Sequence, residues 1–349
     1  MEGKRALEQA LALAGSHDTA DMHPAAIESM VRLAYVENSL GFPLKAFALA
    51  EQALTFSRQH FYPVGEMRGL AQMAYASYFL MQLDRSLDYC RQGLEIAEKH
   101  QYMRRKGYMH IITARVEILK GRLDSSWRNA QTARQIGEEF GYPEMVMEAL
   151  MIQGEHYRLL RDYPRAIDIL KQGLDPSCDS LNAIHMRYRL GFAMVQSGDP
   201  AGQTLVDEAL ANSIANGLAS IYLPILTAKA FIAAASNDLD LARQLHAQLH
   251  QVYQERNFAG LSVSNPLLLS AIALAENDLP AAENHAREAL AVSRSQGALM
   301  SDIMALQSVI TARRGQNLPL EPYTQALSEC LDMLAAQTTL LAMNAAIEA

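Results

Sequence analysis

Apolar residues recur along most of the chain three and four positions apart, the period of a helix with one buried face. Polar punctuation breaks this pattern at equivalent places. Asn38-Ser39-Leu40-Gly41 precedes Pro43, and Gly121-Arg122-Leu123-Asp124 precedes Ser125. Arg161-Asp162-Tyr163-Pro164, Ser197-Gly198-Asp199-Pro200, Asn237-Asp238-Leu239-Asp240 and Asn277-Asp278-Leu279-Pro280 follow the same plan. Each supplies a helix stop and then an N-cap or first-turn proline for the next helix. The chain therefore reads as a series of antiparallel helix pairs.

A second, finer register runs through the pairs. Small residues stand at Ala46, Ser86, Ser126, Ala166, Gly202, Ala242 and Ala282, in steps of 40, 40, 40, 36, 40 and 40. One further step back reaches Ala6. Seven positions after them come Ala53, Gly93, Ala133, Gly173, Ala209 and Ala289, with Leu249 the exception. Twelve positions before them come Ala34, Ala74, Ala114, Gly154, Ala230 and Ser270, with Leu190 the exception. Packed helix axes lie about 8–10 Å apart, and the close end of that range needs small side chains at the crossing. Small residues in phase on both helices let each hairpin nest on the next, and stacking is obligatory because one hairpin cannot bury both faces.

This spacing resembles the tetratricopeptide repeat, with a small residue late in helix A and two small residues seven apart in helix B. The resemblance covers about residues 1–315. It implies an all-α fold: a right-handed superhelical solenoid of antiparallel helix pairs, completed by a C-terminal helix. The Trp usual near the start of helix A is absent, and the period is nearer 40 than 34. Such long-helix variants resemble those of bacterial signalling and transcription regulators. Residues 1–316 are expected to form the array and 317–349 a separate C-terminal helix.

The same resemblance places helix A on the inner wall, and the register then nominates side chains. One and four positions after the small residue stand Tyr35 and Asn38, Tyr75 and Tyr78, Arg115 and Ile118, Glu155 and Arg158. Six positions before it stand Glu28, Arg68, Tyr108 and Glu148. The expected binding groove comprises Glu28, Tyr35, Asn38, Arg68, Tyr75, Tyr78, Tyr108, Arg115, Glu155 and Arg158, with arginine forks suited to carboxylates. The equivalent later positions, Phe231, Ala234, Ala271 and Leu274, are apolar. They suit burial of a partner helix or of the chain's own C-terminal helix.

Beyond about residue 316 the repeat fades. Residues 331–349 resemble the signalling hairpin of methyl-accepting chemotaxis receptors just before its tip, through Ala335, Gln337, Thr338, Leu340, Leu341, Ala342, Asn344, Ala345, Ala346, Ile347, Glu348 and Ala349. Gln337, Thr338, Asn344 and Glu348 carry the motif. Leu331, Leu334, Thr338, Leu341 and Ala345 form a three/four seam of the kind used in helical bundles. Thr339 and Met343 depart from the usual Asn and Leu. The resemblance implies a sensor fused to a receptor module that is cut short at Ala349, with a chemotaxis kinase or coupling protein as partner.

Composition narrows the classes. The net charge of −8 and the lack of a long basic run argue against nucleic acid, which needs a dense cationic face. The apolar stretch from Leu218 to Ala235 contains Pro224 and Lys229 and lies in the repeat register, so it reads as a buried helix and not a membrane span. Cys90, Cys178 and Cys330 are odd in number and far apart, which fits a reducing cytoplasm. No phosphate loop or nucleophile elbow is present. His246 and His250 lie four apart on one helix without an accompanying acid, and Trp127 reads as a packing residue. No catalytic residue, metal or cofactor is expected. The chain reads as a cytoplasmic, non-enzymatic sensory or interaction module for a peptide, protein segment or small molecule. Two further readings are a scaffold whose C-terminal helix caps the array or self-associates, and the sensor domain of a transcription regulator.

Overall fold

The computed structural model describes residues 4–5, 8–9, 24–174, 181–256 and 258–336. Described residues 24–336 form sixteen α-helices and no strand. They pair in chain order as α1 (Pro24–Ser39) with α2 (Pro43–Gln59), α3 (Pro63–Phe79) with α4 (Leu83–Lys99), and α5 (Met103–Leu119) with α6 (Leu123–Phe140). Next come α7 (Pro143–Leu159) with α8 (Tyr163–Gln172), α9 (Leu181–Gln196) with α10 (Ala201–Ala215), and α11 (Ala219–Ala235) with α12 (Leu239–Arg256). After a short 3-10 turn at Ala259–Leu261, α13 (Ser264–Ala275) pairs with α14 (Leu279–Gln296), and α15 (Leu299–Gly315) with α16 (Tyr323–Ala336). The odd-numbered members are the A helices. None of the described helices is long and apolar enough to cross a membrane.

The helices end alike. Residues with positive φ fall at 41, 61, 81, 101, 121, 141 and 161, one every twenty positions, and again at 198, 217, 237, 277, 297 and 317. Each sits where a helix reverses. The following N–H reaches back five residues, as from Phe42 to the Glu37 carbonyl (2.9 Å), Tyr62 to Ser57 (2.8 Å) and Asp162 to Tyr157 (2.9 Å). That is the Schellman closure, which occupies carbonyls that the helix end leaves without donors. Gly or Asn fills many of these positions, but Phe61 adopts φ +51 with its ring fully in solvent.

The small-residue register lies at the helix crossings. Ala34, Ala74, Ala114 and Ala230 on A helices, and Ala46, Ser86, Ser126 and Ala242 on B helices, are wholly buried. Ser86 Oγ donates to the Ala74 carbonyl and Ser126 Oγ to that of Ala114, so residues twelve apart meet. The apparent exception at Leu190 is resolved one residue later. Gly191 and Gly202 cross so closely that a Cβ on either would stand within 2.6 Å of the other's carbonyl oxygen.

The solenoid turns far enough to meet itself. α11 touches α1, α15 touches α5, and the 3-10 turn touches α3. The Arg256 guanidinium donates to the Leu40 carbonyl at 2.6 Å and covers the Phe42 ring. Phe79 and Phe258 pack ring to ring with centroids 5.2 Å apart. Glycines permit the approach, since a Cβ on Gly41 would meet Ala219 Cβ at 2.8 Å and one on Gly121 would meet Leu299 at 2.5 Å.

α16 packs on α15 through Tyr323, Ala326, Leu327, Cys330 and Leu334. Leu334 also reaches the cluster around Trp127. The buried stripe thus passes through Cys330, and Leu331, expected on the seam, is 43% exposed because it lies one residue off that face. Gln337, Thr338, Asn344 and Glu348, with the rest of the receptor-like segment from 337 onward, lie outside the described residues, as does Cys178. Cys90 is a buried free thiol whose pKa burial pushes up to about 12, so it is inert.

Candidate functional site

Because the solenoid closes, its inner wall encloses a chamber. A central cavity of about 290 Å³ is bounded by α1, α3 and α5 on one side, by α9, and by the starts of α11, α13 and α15. A second lobe of about 440 Å³ continues from it and shares Tyr35, Gln72, Tyr75, Glu148 and Asn182. These volumes match clefts that hold small ligands.

Five of the expected residues line the central cavity: Tyr35, Asn38, Tyr75, Tyr78 and Arg115. Tyr108 lines the second lobe. Arg68 lines a side recess, where its guanidinium pairs with the Glu28 carboxylate. Glu28 also accepts from the Tyr62 hydroxyl at 3.2 Å, so it is committed to the wall. Glu155 and Arg158 are committed too, and to each other: Arg158 Nη2 and Nε donate to the two oxygens of Glu155 at 2.6 and 2.9 Å. Arg158 further donates to Gln196 and lies over the Phe192 ring, and it lines none of the cavities described above. Arg189 adds a second ion pair to Glu155 at 2.7 Å.

The chamber also uses residues outside the expected set. Gln72, His185 and Arg189 line it, together with Phe79 and Phe258 at the closure. They share a hidden order. Measured from the small residue of each A helix, the positions two before it are Arg32, Gln72, Ile112, Ile152 and, from Gly191, Arg189. Gln72 and Arg189 line the central cavity, Ile112 the second lobe, Arg32 the recess of Arg68, and Ile152 a smaller cavity of about 100 Å³ beside Arg115 and Glu155. Six before Gly191 stands His185. The inner stripe of helix A therefore runs at −6, −2, +1 and +4, the 4/3/3 spacing of one helical face. Phe231, Ala234, Ala271 and Leu274 pack instead into the core clusters of the second half, which offers the chamber its helix starts.

The wall is polar but incompletely paired. Arg115 Nη2 donates to Glu148 at 2.9 Å. Burial would lower its pKa, but Tyr75, Glu148 and Tyr78 outweigh this and the pKa is raised. Burial pushes the Tyr75 phenol up, and the Glu148 charge adds to it, so it remains a hydroxyl donor. Burial, then Arg189 and Arg115, hold the His185 imidazole well below its ordinary value, so it stays neutral and can both donate and accept. Three buried wall atoms lack a hydrogen-bond partner among the described residues: Asn38 Oδ1, Arg115 Nε and Arg189 Nε. Pro224 has no N–H for the Ser220 carbonyl, and both residues line the cavity. His246 and His250 stack with centroids 5.9 Å apart on α12 and line none of these cavities. No group of three or more potential metal ligands occurs among the described residues.

The fold is shared with solved structures of low sequence identity. A Rap protein complexed with competence and sporulation factor superposes with a TM-score of 0.64 at 12% identity, over 89% of this chain and 99% of that one. The apo form of the quorum sensor NprR from B. thuringiensis gives 0.51 at 11% identity, over 90% of this chain and 88% of that one. No protein-family model matches the sequence. No curated protein matches it either. At these identities the likeness shows the helical-repeat fold that the tetratricopeptide-like register implies.

Proposed function

We propose that this chain is a non-enzymatic sensory module that binds a short peptide inside its closed chamber. The unpartnered buried atoms Asn38 Oδ1, Arg115 Nε and Arg189 Nε carry this reading. Buried polar groups without partners are costly, and a peptide backbone offers alternating donors and acceptors to meet them. Tyr35, Tyr75 and Tyr78 supply flat amphipathic surface beside them. The paired state of Glu155 and Arg158 favours a binding wall over a catalytic one. Two proteins of this fold support a sensing role, one complexed with a factor and one a quorum sensor.

We read the receptor-like segment with Gln337, Thr338, Asn344 and Glu348 as the output of this module, with a chemotaxis kinase or coupling protein as its partner. A pull-down with a purified kinase and coupling protein that retains neither would sink that part alone. The chamber itself is tested by native mass spectrometry of the full chain with a pool of randomised hexapeptides. Wild-type protein is expected to retain peptides, while Ser220→Trp, which fills the cavity from the wall, and Asn38→Ala retain fewer. Equal retention by all three proteins would contradict the reading.

A further inference from the structure

At one end of the chamber, a recess of about 170 Å³ is lined by Arg32, Arg68 and Arg105 together with Val31, Tyr35, Ala71 and Gln72. Arg104 and Arg105 also line the adjoining lobe. Four arginines from α1, α3 and α5 thus meet in a protein whose net charge is −8. The described residues show no ion pair for Arg32, Arg104 or Arg105, and only Arg68 has a carboxylate, that of Glu28. No acidic side chain lines the recess itself. Glu144 and Glu148 line the lobe further along, and Glu148 is already held by Arg115. The crowding is felt by the groups themselves. Burial and the charge of Arg105 lower the Arg68 pKa to about 10, and burial with the charges of Arg104 and Arg32 lowers that of Arg105. Like charges gathered in a partly buried place relax when an anion joins them.

We propose that this recess is a phosphoryl-binding site, which receives the phosphate monoester of a ligand lying in the chamber. The choice of phosphate over carboxylate follows from charge and shape. Arg32 and Arg105 in the recess and Arg104 beside it hold no carboxylate, although Arg104 lies over the Tyr142 ring, and together they exceed what one carboxylate can neutralise or occupy. A phosphate monoester carries close to two negative charges near neutral pH and presents three strong acceptor oxygens. Planar guanidinium forks match those oxygens two at a time. The recess is compact, and its shared residues Tyr35 and Gln72 lead straight into the larger lobes, where the organic part would lie. The site goes beyond the chamber reading and does not require the ligand to be a peptide.

The test is calorimetric titration of the full chain at constant ionic strength with inorganic phosphate, phenyl phosphate and acetate. Both phosphates are expected to bind saturably and acetate not. Phenyl phosphate is expected to bind more tightly, because its ring enters the lobe. Arg32→Gln, at an exposed position, and Arg105→Gln are each expected to weaken phosphate binding roughly tenfold, the scale of one charged hydrogen bond. Arg85→Gln, on the outer surface, should change nothing, and circular dichroism checks that all three variants fold. Binding of acetate equal to phosphate, no saturable phosphate binding, or wild-type affinity in both recess variants would overturn the proposal. Equal affinity for the two phosphates would overturn the organic source and assign the site to free phosphate. Hexapeptide retention lost while phosphate binding persists would sink the peptide reading and leave this site standing.

Discussion

Replacing Glu155 by Gln removes one charge from the inner wall and keeps nearly the same shape. In the native chain this carboxylate receives Arg158 at 2.6 and 2.9 Å and Arg189 at 2.7 Å, and its side chain is 15% exposed. Burial alone would raise its pKa, but the charges of Arg158 and Arg189 outweigh burial and hold it at about 2, against an ordinary 4.5. At roughly 1.4 kcal/mol per unit, the charged form stabilises the fold by about 3 kcal/mol. That agrees with the roughly 3–5 kcal/mol lost when a buried ion pair is broken from one side. The sign with pH is fixed. A depressed carboxylate pKa contributes fully above the unfolded value near 4.5 and is lost as pH falls from there toward about 2. Urea unfolding followed by far-UV circular dichroism should therefore show Glu155→Gln less stable by about 3 kcal/mol at neutral pH, and the gap should narrow by about 1 kcal/mol near pH 4. A variant as stable as wild type at neutral pH, or a gap that stays constant on acidification, would refute the reasoning.

Three other outcomes are expected. Gly202→Ala would place a Cβ 2.4 Å from the Gly191 carbonyl oxygen, and the forced shift should cost about 1–3 kcal/mol, more than the roughly 0.5–1 kcal/mol that alanine gains within a helix; an unchanged urea midpoint would show that this crossing can relax. Phe61→Asn should raise stability by up to about 1 kcal/mol, since Phe61 holds φ +51 while 92% exposed and Asn adopts that backbone more readily; a lower melting temperature would count against it. Arg256→Ala removes a charged hydrogen bond to the Leu40 carbonyl, on the scale of about 1.5–3 kcal/mol, and should open the ring; small-angle scattering should report a larger radius of gyration, and an unchanged profile would mean the other closure contacts suffice.

The helix pairs and their crossings were legible because they rest on local rules: one small residue per helix in phase, and a turn signal between. The same register located Tyr35, Asn38, Tyr75, Tyr78 and Arg115 on the chamber wall, since side chains on one helix face repeat predictably. It passed over Gln72 and Arg189 because only the −6, +1 and +4 positions of that face were counted. It passed over His185 because Leu190 occupied the expected small-residue position, and the true crossing at Gly191 is shifted by one. Which charges are free is a pairwise property, so the mutual commitment of Glu155, Arg158 and Arg189 could not be read from helix positions alone. Closure of the ring was hidden for a larger reason. It accumulates from small rotations between successive pairs, and contacts such as Arg256 with Leu40 join residues 216 apart. The left-handed turns at Phe61, Met81 and Gln101 carry none of the Gly or Asn that normally announces them.

The central claim is that the ligand lies inside the closed ring, against the A helices. Hydrogen–deuterium exchange of the full chain, with and without the hexapeptide it retains best, tests this most directly. The account predicts added protection in α1, α3, α5 and α9 and at the start of α11, with α2, α4 and α6 unchanged. Protection confined to the outer B helices or to α16 would contradict it.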